Sequence, residues 1–260
     1  MGAAKWNNHV YVSSKLLILI VLLGAVLAGC GRDRDNIVQS AGPEALYELG
    51  VESMASGNFP TAVAYFQALE ARYPFSNSTR QAKLDMVYAY YRNRELESAI
   101  DAAEEFELEN PTHPRVDYCL YMKGLAFFDQ APNILERAFR VDMSERPPRN
   151  TMQSFSVFQE LLRRFPNSQY APDSRERMIF LRNRLATYEN HVAAYYMRRG
   201  AYVAAINRAK YSLEHFPGAP ALEDSLQILV NAYEELGMRE LADDARRVLT
   251  ESFGELAAAE

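Results

Sequence analysis

The sequence predicts an all-α protein, a right-handed superhelical solenoid of about five stacked helix pairs. Three observations carry that prediction. The first is a recurring full stop, in which an apolar-periodic run ends on a residue followed by proline: "ARYPFSN" (71–77), "ELENPTHP" (107–114), "RRFPNSQ" (163–169) and "EHFPGAP" (214–220). Proline cannot continue a helix and pushes its predecessor out of the α region, so each copy closes a structural element. The second is spacing. Pro74, Pro111, Pro166 and Pro217 lie 37, 55 and 51 residues apart, and the first gap is close to a known helix-pair period of about 34 residues. The third is the placement of small and large residues inside the runs, which recurs in register from one run to the next.

The chain opens with Lys5 and Lys15 and no acid before Cys30, then an uninterrupted apolar or small run at 16–28. That length suits a signal-peptide core and falls short of the roughly 20 residues a membrane-spanning helix needs. It ends in Leu27-Ala28-Gly29-Cys30, small residues before a cysteine, which resembles the bacterial lipobox. Residues 1–29 then read as a removed signal peptide, taking the formal charge from −6 to −8 and the only tryptophan, Trp6, with them. Cys30 receives covalent lipid, and several acyl chains anchor stably where one binds marginally. Gly31 follows Cys30. Its resemblance to other lipoproteins implies delivery to the outer membrane, lipid-anchored, on the periplasmic face. Residues 30–43 read as the lipidated cysteine and a flexible tether.

The repeats follow. In the first, Leu46, Leu49 and Gly50 sit on one helix, "GNF" (57–59) turns, and Ala62, Phe66, Leu69 and Pro74 mark the second helix, with Ser53 where an aromatic is usual. This is the tetratricopeptide pattern. The second repeat has Met86, Val87 and Tyr90, a turn at "ELESA" (95–99), then Ala99, Phe106 and Pro111. The third places Leu120, Gly124 and Phe127 before, and Ser154, Phe158, Leu161 and Pro166 after, a surplus of 18 residues that falls in 129–150. An extra helix at 174–188 presents Met178, Leu181, Leu185 and Tyr188 on one face. Val192, Ala193, Tyr196, "RGAY" (199–202), Ala205 and Pro217 make the fourth repeat; Leu226, Leu229, Tyr233, "LGM" (236–238), Ala242 and Leu249 make the fifth. Small residues let paired helices approach and aromatics fill the space between pairs, so that the pairs bury their apolar faces only by stacking. The segments are therefore 44–128 (repeats one, two and the start of three), 129–150 (inserted loop), 151–252 (the rest) and a tail at 253–260.

Composition excludes several functions. A net charge of −6 argues against nucleic acid, which needs a basic surface. Cys119, in "VDYCLYMKG", reads as a small buried hydrophobe. His113, His191 and His215 lack metal-site spacing, and the chain has neither a glycine-rich phosphate loop nor a G-x-S-x-G elbow. We therefore expect no enzyme, and no cofactor or metal beyond the covalent lipid on Cys30.

In tetratricopeptide proteins one face of each first helix lines a concave groove. Here that face gives Tyr47, Val51 and Met54, then Gln81, Leu84, Tyr88, Tyr91 and Arg92, then Tyr118, Tyr121, Leu125 and Phe128. Tyrosines offer rigid area with a polar tip and an arginine fork holds a carboxylate, so the face suits an aromatic-rich peptide with a free C-terminus. The same tyrosines also read as packing between adjacent helices, and the residues alone leave both open. The inserted loop, with Arg137, Arg140, Arg146 and Arg149 against Glu136, Asp142 and Glu145, reads equally as functional or disordered.

With a lipobox, five repeats, "RYPFSNSTRQAKLDMVYAYY" (72–91) and "FPNSQYAPDSRERMIFLRNRLATYE" (165–189), the chain over 16–250 resembles the BamD family, the competence lipoproteins of the β-barrel assembly machine. The resemblance implies a non-enzymatic scaffold at the outer membrane, with unfolded barrel precursors, a POTRA-bearing barrel subunit and other lipoproteins as partners. Its N-terminal repeats would meet the precursors' aromatic C-terminal signal at Tyr47, Tyr88, Tyr91, Arg92, Tyr118 and Tyr121. Its C-terminal repeats would dock on the POTRA domain around Arg199 and Tyr202. The competing reading is another tetratricopeptide lipoprotein, a pilotin or an envelope or cell-division adaptor. A periplasmic peptidoglycan enzyme is a third, but the repeats leave no room for its domain.

Overall fold

The computed structural model describes residues 38–130 and 148–254. Over them run α1 (Pro43–Ala55), α2 (Phe59–Arg72), α3 (Asn77–Arg92), α4 (Leu96–Glu109), α5 (Val116–Gln130), α6 (Arg149–Arg164), α7 (Ala171–Arg198), α8 (Tyr202–His215), α9 (Leu222–Glu235) and α10 (Arg239–Phe253). No strand occurs among the described residues. The fold is all-α, with the ten helices forming five tetratricopeptide-like pairs in chain order. Two compact units divide the chain at 82/83, within α3. Cys30, the signal segment and most of the loop at 129–150 lie outside the described residues.

The proline full stops have one geometry. Tyr73, Asn110, Phe165 and Phe216 cap α2, α4, α6 and α8 at φ/ψ of −133/54, −133/57, −131/62 and −124/51. The following proline forces each out of the helical region. The N–H three residues later then donates to the cap residue's carbonyl, at 3.0, 3.0, 3.0 and 3.2 Å for Ser76, His113, Ser168 and Ala219. Each helix thus ends in the same closed turn.

Within a pair the turn is equally regular. Gly57, Arg94, Gly200 and Gly237 sit at φ between 66 and 78°, each two residues before its second helix begins. The next N–H reaches back over the end of the first helix, from Asn58, Glu95, Ala201 and Met238 to the carbonyls of Ser53, Tyr90, Tyr196 and Tyr233. This is the left-handed helix ending that glycine adopts without strain; Arg94 adopts it with a side chain. The second turn is therefore 93–95, and "LESA" of the predicted "ELESA" is already helical.

Close approach inside pairs depends on glycine. In the first unit a Cβ on Gly50 would fall 2.2 Å from Phe66; in the second, one on Gly124 would fall 2.5 Å from Phe158. Both phenylalanines are fully buried. Ser154 also donates to the Gly124 carbonyl at 2.9 Å. The third pair therefore closes despite the insertion between its halves.

The sequence places an extra helix and then the fourth repeat; the structure joins them. α7 is one continuous helix of 28 residues, about 42 Å long. Between Tyr188 and Val192 stand only Glu189, Asn190 and His191, with neither proline nor glycine to stop it. Glu189 and Asn190 are buried and partnered. Arg208 of α8 pairs with Glu189 at 3.2 Å, and Asn190 joins Ser225 of α9 and the Ala221 carbonyl.

Candidate functional site

In the second unit, α3, α5 and α7 bring most of the expected groove residues together. Tyr88, Tyr91 and Arg92 lie on α3, and Tyr118, Tyr121, Phe128 and Asp129 on α5. α7 adds Asp173, Arg177 and Phe180. Leu84 and Leu125 share that face by spacing, yet both are buried in the core with Val87, Phe106 and Phe158. The larger, partly polar side chains remain at its rim.

The rim is built from phenol–carboxylate contacts. Tyr91 donates to Asp129 at 2.8 Å, and Asp129 also receives Arg94 at 3.2 Å. Tyr121 donates to Asp173 at 2.9 Å, and Arg177 reaches the same oxygen at 2.6 Å. The Arg177 guanidinium lies 4.9 Å from the centre of the Phe128 ring, and the half-exposed Phe180 ring lies 5.8 Å from that of Phe128. Tyr170 stacks on Tyr121 at 4.5 Å and leans toward Tyr118 at 5.9 Å, while Arg115 covers Tyr118.

Protonation states follow from these partners. Burial, then the bond to Asp129 and its charge, push the Tyr91 phenol up to about 12, against the opposing pull of Arg177 and Arg94. Burial and Asp173 raise Tyr121 as well. Burial chiefly raises Tyr118. Burial would raise Asp173, but its bonds to Arg177 and Tyr121 outweigh this and hold its carboxyl below the ordinary value. Arg177 is held above its ordinary value by Asp173 despite its own burial. Phenol donors, aromatic faces and a cation thus meet on one rim, which suits an aromatic group beside a carboxylate.

Arg177 is the residue that sequence reasoning missed. Arg92 was the expected cation, but it turns back on Tyr88, bonding its hydroxyl and covering its ring. Arg177 instead acts on Tyr91, Tyr121 and Phe128. Its signal was present, since Asp173 and Arg177 lie four apart with the acid first, but such pairs ordinarily mark a solvated face. Tyr47 belongs to the first unit, where its ring packs 6.0 Å from Phe66.

The expected docking residues lie on a turn of the second unit. Arg199 is exposed and lies 5.6 Å over Tyr195. Tyr202 donates to Glu235 at 3.0 Å, which ties the first residue of α8 to the last of α9. Val203, next to Tyr202, and Leu236, Met238 and Leu241, in the stretch after Glu235, are exposed. Cys119 is a buried free thiol, pushed by burial to about 12. No cluster of metal-ligating side chains occurs among the described residues, and none of their helices is long and apolar enough to cross a membrane.

Comparison with known proteins adds a family. A family model described as outer membrane lipoprotein, YfiO, matches residues 39–248. Outer membrane protein assembly factor BamD of Neisseria meningitidis serogroup A is 40% identical over 244 residues, covering 92% of this chain and 91% of that protein. The Vibrio cholerae protein of the same name is 37% identical, covering 86% and 93%. Among solved structures, the MamA protein is similar at a TM-score of 0.35 and 16% identity, covering 84% of this chain and 95% of that one, a likeness too distant to argue from.

Proposed function

Given that the chain belongs to the BamD family of outer membrane protein assembly factors, we propose that it is a non-enzymatic scaffold of β-barrel assembly. Cys30 carries the lipid that holds it to the periplasmic face of the outer membrane. The N-terminal repeats receive unfolded barrel precursors. The C-terminal repeats dock on the POTRA domain of the barrel subunit through the 199–202 turn and its exposed apolar neighbours, and other lipoproteins complete the complex.

The observation that supports precursor recognition most is the rim on which Tyr91, Tyr121, Phe128 and Arg177 meet. A precursor's terminal aromatic ring stacks beside Phe128, and its carboxylate competes with Asp173 for the Arg177 fork. Replacing that fork removes a charge-assisted contact of about 1.5–3 kcal/mol, roughly a tenfold to hundredfold loss of affinity. Calorimetric titration with a peptide ending in an aromatic residue tests this. The free-acid peptide binds more tightly than its C-terminal amide, and Arg177→Met abolishes the difference. Equal binding of acid and amide by the wild type would remove this site from the account.

A further inference from the structure

Phe75 is 98% exposed, whereas among the described residues the next most exposed large apolar side chain is Leu108 at 81%. Lone apolar residues on a surface are ordinary. What sets Phe75 apart is its mounting. It follows Pro74 in the turn after α2. Ser76 N–H donates to the Tyr73 carbonyl at 3.0 Å, the buried Thr79 hydroxyl donates to the same oxygen at 2.6 Å, and Thr79 N–H donates to Ser76 Oγ at 3.0 Å. The ring is therefore held in solvent by a rigid turn.

The same turn grips the chain arriving from the N-terminus. Arg72 donates to the carbonyls of Val38 and, at 2.8 Å, Gln39, and the Tyr73 hydroxyl donates to the Ala41 carbonyl at 3.2 Å. Val38 is the eighth residue after Cys30, so the segment between them spans at most about 29 Å. Phe75 is three residues from Arg72, within about 11 Å along the backbone. The stretch 71–82 also carries Arg72 and Arg80 and no acid, in a chain of net charge −6.

We infer that the 73–76 turn is a membrane-contact site, with the Phe75 ring seated in the interfacial layer of the bilayer that holds the Cys30 lipid. This rests on Cys30 acylation as proposed above. Phenylalanine buries its ring at the boundary between headgroups and acyl chains on the apolar side of interfacial segments, and the local positive charge complements anionic headgroups. Beside several acyl chains one ring adds little affinity. Its consequence is orientation, since a second fixed point stops the first unit from rotating freely about its tether.

Loss of Trp6 with the signal segment leaves the mature chain without tryptophan, so Phe75→Trp installs a single reporter at an exposed position. The full-length acylated variant, purified from envelope membranes, is reconstituted into phosphatidylethanolamine–phosphatidylglycerol vesicles. The inference predicts emission at shorter wavelength than for the same Phe75→Trp chain produced without residues 1–30 in detergent-free solution, quenching by lipids brominated near the headgroup, and weaker quenching when Arg72→Ala releases the tether. Acylated protein that floats with vesicles yet keeps water-like, unquenched emission overturns the inference alone. A shift that needs an added assembly partner overturns it in favour of a protein surface. Absence of acyl mass on the Cys30 peptide overturns the anchor reading, and the inference with it.

Discussion

Gly50 and Gly124 each face a buried phenylalanine ring at a distance no Cβ tolerates. Alanine there gains about 1 kcal/mol of helix propensity but overpacks the core by about 1–3 kcal/mol. Overpacking wins, because neither ring has an open side to move into. Gly50→Ala and Gly124→Ala are expected to lower stability by up to about 2 kcal/mol, read as a lower urea midpoint at unchanged slope. At the rim, pH acts with two signs. The Asp173 carboxyl is lowered on folding, so its contribution is present above its unfolded pKa of about 4 and is lost as pH falls through the folded value. Tyr91 is raised to about 12, so its contribution is present below pH 10 and is lost between 10 and 12. Asp173→Asn should flatten the acid limb of a stability–pH profile and Tyr91→Phe the alkaline limb; the Asp173 effect is small because solvent screens that pair.

At the scale of elements, the helix ends were legible and one helix junction was not. Proline after an aromatic or asparagine leaves its predecessor a single way out of the helix, so the positions of the full stops could be read from the sequence. The glycines of the pair turns were equally visible, except at Arg94, where a residue that ordinarily avoids positive φ accepts it. The fusion of the extra helix with the fourth repeat was hidden, because repeat periodicity calls for a break where the sequence supplies none. That fusion is why Arg177 escaped notice, since it lies on a stretch read only for its apolar face. Thr187 is exposed in the middle of α7. Thr187→Pro therefore breaks a continuous hydrogen-bond ladder and should cost about 3 kcal/mol or more, read by denaturation and by loss of helical circular dichroism. A cost near zero would mean that two separate helices meet there.

At the scale of the molecule, the helix pairs and the family membership are the ground of the scaffold role proposed above. The acidic composition does not suit nucleic acid, and the sequence carries no glycine-rich phosphate loop. Membership of an outer membrane assembly family gives the repeats a process to serve. The division of labour proposed for them places precursors on a phenol-and-arginine rim and the barrel subunit on the 199–202 turn. Recovery of tagged, acylated protein from solubilised envelope membranes, with identification of what accompanies it, tests this most directly. The account predicts a POTRA-bearing barrel subunit in stoichiometric amount with the wild type, and its loss at raised salt with Arg199→Glu. Recovery of a pilus secretin or a division protein in its place would contradict it.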